Sequence, residues 1–142
     1  EGRENSGRYG LERKIMASLF QFDLVSPERS LLSVEVTQVN IPGSEGDFSS
    51  MSEHAPILAT LRPGFINVSS PNGEFKYFVT GGFVEVSAVS TSVLAEKAYR
   101  DSELTKEIAS ELISEAKLKH EKTGSDTTAK YYSDLEVALS DI

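Results

Sequence analysis

The chain has 142 residues, 39% hydrophobic and 25% charged, with no cysteine. That is enough chain to bury a core without disulfides, it is too apolar for a disordered segment, and it excludes disulfide scaffolds, cysteine nucleophiles and thiolate metal sites. Fourteen basic residues stand against 22 acidic ones, for a net charge of -8; nucleic acid is disfavoured as a partner, since its phosphates need Lys and Arg, and so is adsorption to an anionic membrane surface.

At the N-terminus, Glu1 to Ile15 is polar and lacks the apolar region of a secretory signal. We read residues 1–16 as an expression remnant or a start set too far upstream, with a genuine disordered arm as the alternative. Ordered patterning begins after Met16. Phe20, Phe22 and Leu24 alternate with polar neighbours, as do Val34 and Val36, Val39 and Ile41, Phe65-Ile66-Val68, Phe75-Tyr77-Val79, Phe83-Val84-Val86, and Val93-Ala95. Alternation in short β-branched and aromatic runs predicts strands. Ser26-Pro27, Pro42-Gly43, Pro63-Gly64, Pro71-Asn72-Gly73 and Gly81-Gly82 supply the turns. Pro71-Asn72-Gly73 is the best hairpin signal, because Asn-Gly readily adopts positive φ. Gly81-Gly82 inside a strand pattern implies a bulge, a tight bend or a close backbone approach. Many short strands at this spacing predict a β-sandwich or barrel over residues 17–96.

Near Lys97–Tyr99 the period changes. Leu104, Ile108, Leu112 and Ala116 follow at four-residue steps, which predicts a helix with one apolar stripe, capped by Asp101 or Ser102. Gly124-Ser125-Asp126 reads as a stop followed by a new cap. Tyr132, Leu135 and Leu139 then share a face of a second helix. Residues 97–142 are therefore expected to form an antiparallel helical hairpin behind the sandwich, an α+β architecture. No apolar run approaches the roughly 20 residues that cross a bilayer, so no direct membrane insertion is expected.

The chain contains no G-x-x-x-x-G-K-[ST], no G-x-G-x-x-G and no G-x-S-x-G. His54 and His120 are far apart and belong to no zinc-ligand pattern; no cofactor or metal is expected. Three features stand above background. Pro42-Gly43-Ser44-Glu45-Gly46-Asp47-Phe48 reads first as a plain connection to a strand at Ile57, and secondly as an exposed acidic tip that offers Glu45 and Asp47 to a basic partner. The diglycine is the second. The third is the row Glu103, Glu107, Glu111 and Glu115, stacked on one face of the first predicted helix. Such like-charge rows cost roughly 0.2–0.5 kcal/mol per pair and are usually solvated faces; a docking face for a basic surface is the other reading.

The order VSPE (Val25 to Glu28), PGSEGD (Pro42 to Asp47), HAP (His54 to Pro56), LRPG (Leu61 to Gly64), VTGGFVEV (Val79 to Val86) and VLAEKAYR (Val93 to Arg100) closely resembles the epsilon-subunit family of bacterial F-type ATP synthases, equivalent to the mitochondrial delta subunit. The resemblance is strongest over Phe20 to Arg100. It implies a flattened N-terminal β-sandwich with a C-terminal two-helix hairpin. It also implies a non-catalytic rotor subunit on the cytoplasmic face of the bacterial inner membrane, joined to the gamma subunit and the ring of c subunits. Glu45, Asp47 and Phe48 would then face the c ring, and His54, Ala55 and Pro56 would contact gamma. In relatives the hairpin can extend along gamma towards the alpha-beta head and inhibit hydrolysis, and in some it binds ATP. Here Asp101 to Lys106 lacks the arginine of the ATP-binding pattern and carries Glu at the recurring positions. Weak or absent ATP binding is therefore expected, and inhibition is doubtful. Ser49, Ser50 and Met51 also depart from the family pattern. An unrelated β-sandwich adaptor is the alternative.

Overall fold

The computed structural model describes residues 19–51 and 56–142. The N-terminal arm and the residues Ser52–Ala55, among them His54 and Ala55, lie outside the described residues. The described residues form ten strands, β1 (Phe20–Val25), β2 (Ser30–Val36), β3 (Gln38–Gly43), β4 (Gly46–Met51), β5 (Ile57–Leu61), β6 (Gly64–Ser70), β7 (Gly73–Val79), β8 (Gly82–Val86), β9 (Ser90–Ala95) and β10 (Ala98–Arg100), followed by helices α1 (Lys106–Thr123) and α2 (Asp126–Ala138).

The strands make two layers that share one core. One layer runs β10-β7-β6-β3 with β4 on the far edge of β3, and the other runs β5-β8-β9-β1-β2. β3 links them: Gln38–Asn40 pair with β6, and Gly43 pairs with Leu61 of β5. The chain also crosses between layers at Thr37, whose N–H donates to Ser69 O at 2.8 Å. The period-two pattern decides what lies between the layers. Phe22, Leu24, Val36, Val39, Ile41, Ile66, Val68, Val79, Val84, Val86 and Val93 are all essentially inaccessible. Alternate residues point outward, as strand geometry requires.

Two turns use the same device. Ser44-Glu45 and Pro71-Asn72 each form a two-residue connection closed by a glycine of positive φ, Gly46 at 133° and Gly73 at 135°. In each turn the glycine itself takes the positive φ. Gly82 is required for a different reason: a Cβ there would lie 2.0 Å from Leu94 O, so the close-approach reading of the diglycine holds.

Two details differ from the sequence reading. Gly46–Met51 is a strand, fully paired with β3 from Gln38↔Met51 to Gly43↔Gly46, and not a connection. It lacks apolar alternation, and its one buried side chain is Ser50, whose hydroxyl meets Thr91 Oγ1 of the opposite layer at 2.7 Å. Backbone pairing and one satisfied polar contact hold it, neither of which leaves a hydrophobic signature. The first helix also starts later than expected. Asp101–Glu103 form a single 3-10 turn, and Thr105 is the N-cap, its Oγ1 accepting from Ile108 N at 3.2 Å. Asp101 and Ser102 do not cap it.

The hairpin turn follows the expected chemistry. Gly124 ends α1 in the left-handed conformation, φ 62°, and its N–H donates to His120 O at 2.7 Å. Ser125 caps α2 by accepting from Thr128 N at 3.1 Å. The hairpin lies folded against the outer face of the β6–β7 layer. There Phe65 and Phe78 meet edge-on at 5.2 Å, and Leu104, Ala109, Leu112, Ala116, Leu135 and Leu139 close a second core over Phe78.

Candidate interaction surfaces

Among the described residues no group of three or more His, Cys, Asp or Glu could hold a metal ion, and no helix is long and apolar enough to cross a membrane. Three surfaces could recognise another protein, two on the sandwich and one on the hairpin.

The first is the tip of the β3–β4 hairpin. Glu45 sits in its two-residue turn and is exposed, and it makes no ion pair among the described residues. Asp47, the second residue of β4, lies opposite Pro42 and its side chain is 71% exposed, yet its carboxylate is held by Arg62, whose other nitrogen donates to Gly43 O at 2.6 Å. Arg62 thus ties the base of the tip to the end of β5. Ser44 adds a second tie through its hydroxyl contact with Thr60 Oγ1 at 2.5 Å. Phe48 is half-buried against the core. The tip is therefore stiff, with one acidic group unpaired and one braced. A groove of about 610 Å³ runs beside it, lined by Asp47, Phe48, Arg62, Phe65 and Val137 among others.

The second surface was not foreseen from sequence. On the outer face of the β5-β8-β9 layer, opposite the hairpin, Leu58 is 76% exposed, Phe83 54% and Leu94 51%. Phe83 and Leu94 are directly opposite each other in the β8–β9 ladder. Leu58 lies in the neighbouring strand, two residues after Pro56. The available signal is a Leu or Phe at a strand position where alternation calls for a polar residue: Phe83 alternates with the buried Val84 and Val86 and so faces outward. Large apolar residues grouped on an exposed face are the unusual observation.

The third is the acidic row. Glu107 and Glu111 are exposed on α1, and Glu115 reaches Lys97 at 3.7 Å. Glu103 does not belong to the row: it lies in the 3-10 turn, where its carboxylate accepts from Arg100 N at 3.1 Å. Where hairpin meets sandwich, burial first, and then the nearby Glu96 carboxylate, raise the Tyr131 hydroxyl above its ordinary pKa of 10.0.

Comparison with known proteins identifies the architecture. A family profile described as ATP synthase, Delta/Epsilon chain, beta-sandwich domain matches residues 19–101. The ATP synthase epsilon chain of Jannaschia sp. (strain CCS1) is 49% identical over 125 residues, covering 86% of this chain and 95% of that one. The epsilon chain of Cereibacter sphaeroides (strain ATCC 17025 / ATH 2.4.3) is 52% identical over 102 residues, covering 72% and 77%. Among solved structures, a chain of the Euglena gracilis mitochondrial ATP synthase has the same fold, with a TM-score of 0.64, 21% identity, and coverage of 85% of this chain and 81% of that one. The profile spans the whole sandwich and the bacterial relatives align through most of their length: this chain belongs to the ATP synthase delta/epsilon-chain family, whose members are non-catalytic subunits of that complex.

Proposed function

We propose that the chain is a central-stalk rotor subunit that couples rotation of the c ring to the catalytic head of an F-type ATP synthase. The observation that carries this reading is the braced acidic tip. A carboxylate on a stiff two-residue turn suits the basic polar loops of a c ring, because charge-assisted hydrogen bonds are strong and geometrically demanding. Glu45 is the contacting group at the apex, Asp47 stays braced by Arg62 through Oδ1 and offers its other oxygen to the ring, and Phe48 packs beneath against the core. Transmitting torque requires stiffness, which the Arg62 and Ser44 ties supply.

Gamma binds on the adjoining side. His54, Ala55 and Pro56 lead directly into β5, whose outward Leu58 starts the apolar face with Phe83 and Leu94. An apolar centre edged by polar residues has the anatomy of a stable protein interface. The subunit would sit peripherally at the cytoplasmic face of the bacterial inner membrane, held by these two contacts. The folded-down hairpin, with Glu107 and Glu111 outward, presents an anionic face that repels a triphosphate, in keeping with weak ATP binding and little inhibition of hydrolysis.

The test is reconstitution of the rotor with the whole chain and with a chain lacking residues 101–142, following ATP synthesis and hydrolysis in both. Coupled synthesis is expected with either, and hydrolysis is expected to change less than about twofold. Failure of the whole chain to bind gamma would end the proposal. Strong activation of hydrolysis by the truncation would restore an inhibitory role to the hairpin.

A further inference from the structure

The five strands of the β5-β8-β9-β1-β2 layer contain no Lys, Arg or His. Their outward side chains nevertheless include three carboxylates, and the ladder register fixes where these lie. Phe83, Leu94 and Val25 stand opposite one another in β8, β9 and β1. One row back, about 7 Å along the strands, Glu85, Ser92 and Asp23 stand opposite one another in the same three strands. In the row beyond, Glu35 of β2 is opposite Gln21. Glu35 and Glu85 are exposed. Asp23 is partly buried and accepts from Ser33 Oγ at 2.6 Å and from Gln21 Nε2 at 3.2 Å, both neutral donors. None of the three makes an ion pair among the described residues, whereas Asp47 is held by Arg62 and Glu115 by Lys97.

The face is therefore polarised, with an apolar row at one end and a band of uncompensated negative charge beside it. Leu58, opposite Glu85, carries apolar surface into the band. Whatever covers the apolar row also covers the carboxylates, and carboxylates that lose water without gaining a cation are destabilising. A second copy of this chain presents the same base-free face and offers them no cation. We propose that the acidic band selects the chemistry of the partner: the face takes a protein surface with an apolar centre and Lys or Arg along one side, in the orientation that sets those bases over Glu85, Asp23 and Glu35. The proposal rests on the reading that gamma binds here, and adds that the docking edge of gamma is basic and is steered by these carboxylates.

Stopped-flow association of the full chain with purified gamma tests this at salt from about 0.1 M to about 1 M, over which the Debye length falls from about 10 Å to about 3 Å. The association rate of the parent is expected to fall with salt. Glu35→Gln combined with Glu85→Gln is expected to slow association about fivefold at the lower salt and to flatten the salt dependence. Both side chains are exposed and make no hydrogen bond or ion pair among the described residues, so the melting temperature is expected to stay unchanged. Glu121→Gln combined with Glu136→Gln, an equal change of net charge at exposed positions of the hairpin, is expected to associate at the rate of the parent. Binding at a rate indifferent to salt, or equal slowing by the two double variants, would overturn the proposal and leave gamma's place on this face standing. No binding of gamma by the parent would end the reading on which it rests, and the proposal with it. A parent that sediments as a dimer, and as a monomer once Leu58 and Phe83 are replaced by Gln, would put a second copy on the face and overturn the proposal as well.

Discussion

At the scale of single residues, two positions decide more than their chemistry suggests. Gly82 combines a φ of 136° with backbone contact against Leu94 O. Gly82→Ala is therefore expected to cost more than about 2 kcal/mol, from positive-φ strain together with steric overlap, measured as a fall in the urea midpoint at constant slope. Tyr131 decides behaviour in alkali. Its folded pKa is raised above 10.0, by burial first and then by Glu96, so the fold favours the protonated phenol. The corresponding stability is complete below pH 10 and is lost as pH rises through the folded value. Thermal melts from pH 9 to 11.5 should show a destabilisation that is reduced in Tyr131→Phe; identical alkaline profiles would show that the hydroxyl has no such linkage.

At the scale of elements, the hairpin depends on its caps and on one aromatic anchor. Thr105→Ala removes the hydroxyl that accepts from Ile108 N and should cost about 1 kcal/mol, with faster exchange confined to the first turn of α1. Phe78 is wholly buried beneath both helices. Phe78→Ala is expected to cost about 3–5 kcal/mol and to detach the hairpin before the sandwich melts, seen as two transitions where the parent shows one. The β3–β4 hairpin is different. Its Asp47–Arg62 pair is exposed on the Asp side, and exposed pairs contribute roughly 0–1 kcal/mol. Its value lies in fixing the direction of the tip.

At the scale of the whole molecule, the two sides of the sandwich divide the work. One outer face carries the hairpin and the other exposes Leu58, Phe83 and Leu94. Replacing Leu58 and Phe83 by Gln should leave the melting temperature nearly unchanged, since these side chains already face water. The same change should weaken binding to gamma by tenfold or more in calorimetry. Unaltered binding would move the gamma contact elsewhere.

Several features were legible without coordinates because they are local. Alternation at Phe20–Leu24 and Phe75–Val79 marks strands, and Gly124-Ser125 marks a stop and a cap, since backbone conformation and nearest-neighbour hydrogen bonds follow from adjacent residues. The change of period near Lys97–Tyr99 marked a β domain followed by a helical hairpin, and the order of motifs from Val25 to Arg100 carried the family, which narrowed sandwich or barrel to sandwich. Other features arise only from distant segments meeting. β4 exists because β3 pairs with it and because Ser50 finds Thr91, 41 residues away. Thr105 could not be told from Asp101 or Ser102 as the cap until the 3-10 turn had used those residues. The exposure of Leu58, Phe83 and Leu94 together, and the burial of Thr80 and Tyr131, depend on which face of which layer the hairpin covers. That choice is made by packing across the molecule, and no local pattern encodes it.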